Sequence, residues 1–285
     1  MKARRMIRSA AAALAAPLAV LAPPAAFAQD DPANVLAGDY VTIGGAVIYG
    51  PSYEGSDDMV ASPVPVLSGR LGGIEITPRP GGVALDLIPD GDGARTGFSL
   101  GPVMTYSGNR RRQIEDPVVR AAGRLKSAID VGVNGGVTMR RVLNDYDSVT
   151  LSADAKWNVN DAHRGMTVSP QVSYFTPLSP AMVVALSASA KHVDDDYARY
   201  YYSVSPVQAT RSGLPQFAAK GGWASASIGL LTAYDLGGDL RDGGFSLIGL
   251  ASYTRLMNDA KRTPFTSIRG DADQWLVGAG VAYTF

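Results

Sequence analysis

The chain has 285 residues, its 26 lysines and arginines matched by 26 aspartates and glutamates, with two histidines and no cysteine. Without cysteine there is no disulfide staple, thiol nucleophile or thiolate metal site, and two histidines leave little for acid–base chemistry, so no catalytic residue, metal or cofactor is expected. Nor is there the strongly basic balance that nucleic-acid binding requires.

Residues 1–28 read as a signal peptide that is cleaved and plays no part in the fold. Lys2, Arg4, Arg5 and Arg8 precede an apolar stretch from Ala10 to about Leu21, and Ala26-Phe27-Ala28 is a small-x-small cleavage site. Pro17, Pro23 and Pro24 argue against a membrane anchor helix. Cleavage removes four basic residues, leaving 22 (26 minus 4) against 26 acidic ones.

Residues 29–39 are expected to form a short N-terminal segment ahead of strands over 40–285. No later run approaches the ~18 apolar residues of a spanning helix. The dominant period is two. Tyr40–Tyr49 alternates first, followed by shorter stretches at Val64–Arg70, Leu71–Thr77 and Gly82–Ile88, then by Arg95–Ser107 and Ile129–Met139. In Val149–Val159 the alternation is cleanest. Leu151, Ala153, Ala155 and Trp157 share one face, and Ser152, Asp154, Lys156 and Asn158 the other. Met166–Thr176, Met182–His192, Trp223–Tyr234, Phe245–Arg255 and Gln274–Phe285 complete the series.

These strands exceed the ~5–6 residues of globular sheets and match the ~9–11 that cross a bilayer at a tilt. Short links at Pro89–Ala94, Asn144–Ser148, Pro177–Ala181 and Asp235–Gly244 alternate with long ones at Gly50–Ser62, Gly108–Ala128, Val193–Gly222 and Leu256–Asp273. This is the layout of an all-β transmembrane antiparallel up-and-down barrel of about twelve strands (ten to twelve) in the Gram-negative outer membrane. Its termini and short turns face the periplasm, and its long loops the exterior. In lipid an open sheet edge is untenable, so the last strand must pair with the first. Its apolar face carries Trp275, Val277, Val281, Tyr283 and Phe285, with Trp275 and Tyr283 roughly 26 Å apart, as interfacial girdles require. The aromatic end also looks like the signal read by barrel-assembly machinery. Membrane lipid and lipopolysaccharide are the other partners expected.

"GPSYEGSDD" (Gly50–Asp58) with "PVPVLSGRLGG" (Pro63–Gly73), and "YTRLMNDAKRTPF" (Tyr253–Phe265) with the "GAGVAYTF" ending, resemble the MipA/OmpV family, the MltA-interacting protein family. Thr263-Pro264 stands where many members carry Ser-Pro. The resemblance implies a non-enzymatic outer-membrane barrel. It also implies a scaffold joining peptidoglycan-remodelling enzymes, a lytic transglycosylase and a peptidoglycan synthase. A narrow porin-like channel for small polar solutes and an outer-surface adhesin are the alternatives.

Several residues are candidates for function. Tyr53, Glu54, Gly55, Ser56 and Asp57 form a motif loop read as a structural turn in preference to a calcium contact, since its spacing is not that of a calcium loop. Arg110, Arg111 and Arg112 suit lipopolysaccharide phosphates, or else form a solvated loop offset by Glu115 and Asp116. Asp194–Tyr202 offers an exposed tyrosine contact surface, or a strand extension with an aromatic belt. Inward polar residues are Glu75, Asp86, Asp130, Asn134, Arg140, Asp154, Lys156, Asn158 and Gln171, with Arg140 and Asp154 expected to pair across a hairpin. Only His163 and His192 could act as bases, and neither sits in a recognisable triad.

Overall fold

The computed structural model describes residues 34–285 except positions 92 and 112, so the expected signal peptide, residues 29–33 and Arg112 lie outside the described residues. Twelve antiparallel strands close into one barrel, each paired with its neighbours in sequence. They begin with β1 (Tyr40–Pro51), β2 (Met59–Leu71), β3 (Ile74–Arg79), β4 (Gly82–Asp86), β5 (Thr96–Ser107) and β6 (Ala128–Arg140). They continue with β7 (Ser148–Asn158), β8 (Met166–Ser179), β9 (Met182–Val193), β10 (Gly222–Asp235), β11 (Gly244–Leu256) and β12 (Asp273–Thr284). Both ends of the strand series and most short links lie at one rim, here the terminal rim; the long loops gather at the opposite, loop rim.

The period-two reading holds in the burial pattern. On β1, Ile43, Val47 and Tyr49 are exposed while Ile48 is buried; on β12, Trp275, Val277 and Val281 are exposed while Leu276 and Ala282 are buried. Exposed apolar residues on a closed barrel are the signature of a lipid-facing wall. At the terminal rim the Tyr283 ring packs between Phe245 and Phe285, with centroids 4.8 and 4.6 Å away.

Closure uses eight register pairs between β1 and β12, from Thr42↔Thr284 to Tyr49↔Val277. The Phe285 N–H adds a bond to the Val41 carbonyl at 2.9 Å, and the Thr42 and Thr284 hydroxyls meet at 2.8 Å. The inner face of the last strand, with Gly278, Gly280 and Ala282, is small. A Cβ built on Gly280 would lie 2.5 Å from the Gly45 carbonyl oxygen, and one on Gly44 would lie 2.4 Å from that of Val281. Any side chain there pushes the closing strands apart.

Two elements differ from the sequence reading. β2 starts at Met59 and not at Val64, because Pro63 and Pro65 interrupt the alternation without ending the strand. The β3–β4 hairpin is only six and five residues long, and β3 pairs with β2 over Gly69–Leu71 alone. The long loops, read as polar and irregular, carry five short helices: α1 (Pro117–Ala122), α2 (Asp195–Tyr202), α3 (Pro206–Ser212), α4 (Asn258–Arg262) and α5 (Pro264–Ser267).

Gly280→Val should impair closure, with an overpacking cost of about 1–3 kcal/mol. Heat-modifiable gel mobility is the readout: the variant should give less of the compact, fast-running form, whereas undiminished compact form would mean the closing strands tolerate the side chain.

Candidate functional site

The loop rim is covered by a folded lid. Tyr53, Ile114, Val119, Ala122, Val204, Leu214 and Phe265, drawn from all four long loops, form one buried cluster. The two ends of the chain that carry the family motifs meet here. Tyr53 is 1 % exposed and donates to the carbonyls of Phe265 and Arg269, each at 3.4 Å. The Gln274 side chain accepts from Gly55 N–H at 3.0 Å and donates to the Ser56 and Asp271 carbonyls at 3.0 and 2.8 Å. Gly55 sits at φ +97°, and a Cβ on it would lie 2.2 Å from the Thr266 hydroxyl, so glycine is required. The motif loop is a docking joint between the first and last loops.

Glu54 turns from this joint into the barrel. Its Oε1 accepts from Lys191 Nζ at 2.6 Å and from the Tyr202 hydroxyl at 3.1 Å, so its charge is used inside the mouth and not on a cation at the surface. Above it lies α2, whose N-terminus is capped by Asp194 accepting from Tyr197 N–H at 2.9 Å. The expected tyrosine contact surface is corrected by this helix: Tyr197, Tyr201 and Tyr202 are buried against Val193, Ala224 and Leu256. Burial, with the Glu54 carboxylate next, pushes the Tyr197 and Tyr202 hydroxyls well above their ordinary range, so they remain hydrogen-bond donors at any physiological pH. Helical signals were present in the sequence, since Asp194 and Ser205 with Pro206 and Gln208 are start signals of α2 and α3.

The arginine cluster also departs from expectation. Arg110 is 2 % exposed, its guanidinium carbon 3.8 Å above the Phe265 ring and its Nη1 donating to the Tyr201 carbonyl at 3.1 Å. Burial lowers its pKa to about 10. It is a pillar of the lid, stacked on the aromatic ring and too deeply buried to reach lipopolysaccharide. Arg111 is half-buried. Asp116, expected to offset this cluster, instead caps α1 through Val118 and Val119 N–H and accepts from Arg269 at 2.6 Å.

Glu75, Asp86, Asp130, Asn134, Arg140, Asp154, Lys156 and Gln171 line cavities within the barrel, and Asn158 bonds Asp130 near the loop rim, but the expected pairing differs. Arg140 and Asp154 do not pair, because the register sets Asp154 opposite Asn134 and Arg140 opposite Ser148. Matching parity placed them on one face, six positions apart. Asp154 instead accepts from Arg79 Nε at 2.9 Å and from Asn134 at 2.6 Å, while Arg140 pairs with Asp90. Asp130 takes Asn158 Nδ2 at 3.0 Å and His163 Nε2 at 2.9 Å. The other ring nitrogen of His163 accepts from Gly165 N–H at 3.1 Å, so neither is free to act as a base.

Two cavities with charged and hydroxyl side chains in their lining follow this wall. The outer, of about 180 Å³, is lined by Glu54, Asp130, Lys156, Ser189, Lys191 and Thr254 among others. The inner, of about 90 Å³, is lined by Glu75, Asp86, Asp90, Thr138, Arg140 and Ser173 among others. Both touch Arg79, Ser152 and Gln171, so the Arg79–Asp154 pair stands where they meet. Toward the terminal rim the strands β8 to β12 carry an apolar inner patch. Ile48, Phe175, Val183, Leu231, Leu250 and Leu276 belong to one inner cluster, which Leu240 of the β10–β11 turn joins from the terminal rim. Sequence reasoning did not single out this cluster: it read the face of Leu276 and Ala282 on the last strand as mostly small, and its inward candidates on other strands were polar.

Burial works against the charge of Asp116, but Arg269 and the two α1 amides outweigh it and hold the carboxyl below its ordinary value of 3.8. That stabilisation is fully present above the ordinary value and is lost as pH falls from 3.8 through the lower folded pKa. The lid should therefore open to protease in that window, and Asp116→Asn should open it at neutral pH; limited proteolysis within 108–127 reads both. An equally resistant Asp116→Asn lid would contradict the assignment.

The MltA-interacting protein MipA family matches residues 43–285. Outer membrane protein Omp26La of Vibrio anguillarum is 28 % identical over 188 residues, and outer membrane protein OmpV of Vibrio cholerae is 26 % identical over 187 residues. Each match covers 66 % of this chain and 66 % of the relative, just under two thirds of its length. Among solved structures, an outer-membrane channel from Pseudomonas putida F1 aligns over 90 % of this chain and 100 % of its own, with 12 % identity and a TM-score of 0.44. OprD of Pseudomonas aeruginosa aligns over 87 % of this chain and 65 % of its own, with 14 % identity and a TM-score of 0.37. With its closed twelve-strand wall and this match across the strands and loops, the chain belongs to the MipA family and is an outer-membrane β-barrel.

Proposed function

We propose that this barrel is a narrow, lid-covered channel for small polar solutes. The observation that carries the reading is the pair of cavities, lined by charged and hydroxyl side chains, that share Arg79, Ser152 and Gln171. A pure scaffold has no need of cavities lined by so many polar side chains. Lining hydroxyls at Ser152, Ser189, Ser227 and Thr254 offer replaceable hydrogen bonds to a passing solute, which binds without being trapped. Charge is graded along the path. In the outer cavity Arg79 is used by Asp154 and Lys191 by Glu54, which leaves Lys156 as the lining cation with no ion pair among the described residues. The inner cavity carries Glu75, Asp86 and Asp90 against Arg140 and the already paired Arg79.

A second reading, a scaffold for peptidoglycan-remodelling enzymes, is favoured by the family's description as MltA-interacting. Short turns facing the periplasm would have to supply its docking surface. The Asp235–Gly244 turn is largely self-bonded, with Asp235 accepting from Gly238 and Asp239 N–H, Asp239 paired to Arg241, and Leu240 directed into the barrel cluster. That leaves little area beside the ~800 Å² per partner of a stable interface. A pull-down on this turn that recovers a cell-wall enzyme would favour the scaffold.

The channel reading predicts discrete conductance steps from refolded protein in a planar bilayer. Lys156→Glu should shift the reversal potential in a salt gradient toward cation preference. A heat-modifiable, correctly closed barrel that stays electrically silent would overturn the channel.

A further inference from the structure

The β2–β3 ladder, with three register pairs like that of β4–β5, is a weak seam in the barrel wall, and four prolines lie along it. The Phe285 N–H bonds the Val41 carbonyl, so odd-numbered β1 residues direct their backbone groups at β12 and even-numbered ones at β2. The Tyr40↔Arg70 register then turns even-numbered β2 residues toward β1 and odd-numbered ones toward β3. Gln113 Nε2 donating to the Ala61 carbonyl from outside the β1 ladder agrees with this parity. Pro63 and Pro65 are both odd. Beyond the last β2–β3 pair, Gly69↔Ile76, the next positions facing across the seam are Leu67 with Pro78 and Pro65 with Pro80.

Proline has no N–H to give. The Leu67–Pro78 rung can hold at most one hydrogen bond and the Pro65–Pro80 rung none, whereas β5 and β6 are joined through twelve consecutive register pairs. Chance scatter would put prolines at seam-facing and wall-facing positions alike. All four here remove a donor from the seam. Parting β2 from β3 above Gly69 thus breaks almost no backbone bonding, in a solvent where every unmet backbone group costs several kcal/mol.

The seam opens onto the cavities. Arg79 and Pro80 line the outer one, and Glu75, Thr77 and Arg79 the inner one, all on or beside β3. The Arg79–Asp154 pair spans from β3 to β7 and holds the hairpin against the lumen as a latch. Outside the seam, Pro63, Pro65, Leu67 and Ile74 are exposed to the apolar phase. At about 180 Å³ the outer cavity is smaller than the ~300–1,000 Å³ of ordinary ligand pockets, so it suits a head group whose tail remains elsewhere. Lys156 lines the cavity without a direct ion pair among the described residues, with Asp130 and Asp154 nearby, and is the cation open to such a head.

We propose that the β2–β3 seam is a lateral doorway through which a single-chain amphiphile with an anionic head passes between membrane and lumen, its head toward Lys156. This does not rest on ion conduction through the barrel.

The absence of native cysteine makes the test clean. Dodecanoate with a photoreactive group in its tail is the probe, applied to protein in lipid vesicles, with adducts located by mass spectrometry. Adducts should concentrate on 63–67 and 76–80. Lys156→Met should reduce them several-fold. A Leu67→Cys/Pro78→Cys variant, confirmed as closed by gel mobility, should lose about tenfold when oxidised and recover on reduction, so one folded molecule supplies both states. Adducts spread evenly over the lipid-facing residues of all strands, or yields unchanged by the lock, would overturn the doorway; yields unchanged in Lys156→Met would overturn the anionic head. Seam adducts from an electrically silent barrel would remove the channel and leave the doorway standing.

Discussion

A backbone amide in hydrocarbon has no water to fall back on, and the rest of this protein is arranged around that fact. Each strand from β4 round to β2 bonds neighbours on both sides, and the pairing of β12 with β1 leaves no free edge where the sheet would otherwise end. Crowded glycines at 44 and 280 let the closing strands approach, and apolar residues of alternating sequence face outward. Pairing is thinnest at β2–β3 and β4–β5, three register pairs each, and prolines line the outer half of the β2–β3 boundary. There proline removes the donors, so the weakness comes without a row of orphaned N–H groups.

With the wall satisfied, the interior is free to specialise. One side is packed with aliphatic and aromatic side chains and gives rigidity at the terminal rim; the other carries charges, most of them matched by a specific partner. Breaking a buried pair strands a charge, so such pairs hold geometry more than they add stability. Arg79 illustrates this: one guanidinium fixes a short hairpin, separates two cavities and faces Asp154 on β7. Over the mouth, four loops fold on one another around Tyr53 and Phe265, with Glu54 extending down to Lys191 and linking lid to wall.

The sequence made the barrel legible because period two survives wherever one face meets lipid and the other does not. All twelve strands were visible, the least clear being those around Pro63, Pro65 and Pro78, where alternation is broken by residues chosen for their missing N–H. Parity along a strand was legible too, and Asp130, Asn134, Asp154 and Lys156 are found among the cavity-lining residues. Pairing was not, since parity says which face a side chain occupies and only register says what it meets; Arg140 and Asp154 share a face six positions apart. The lid was hidden for another reason. Its core is assembled from residues far apart in the chain, and Arg110 or Tyr202 looks like a surface residue until the loops that cover it are in place. The cap and proline signals at Asp116, Asp194 and Ser205 could have revealed helices, though not what those helices bury.

Amide hydrogen exchange of the barrel in lipid, resolved by residue, tests the hydrogen-bond account most directly. Leu67 has the seam as its only side for bonding, with a single carbonyl in reach, while Val66 and Ser68 bond to β1 inside a continuous ladder. The account predicts fast exchange at Leu67 beside slow exchange at Val66 and Ser68, and strong protection across the β1–β12 closure. Uniform protection across Val66–Ser68, or rapid exchange along β1 and β12, would contradict it.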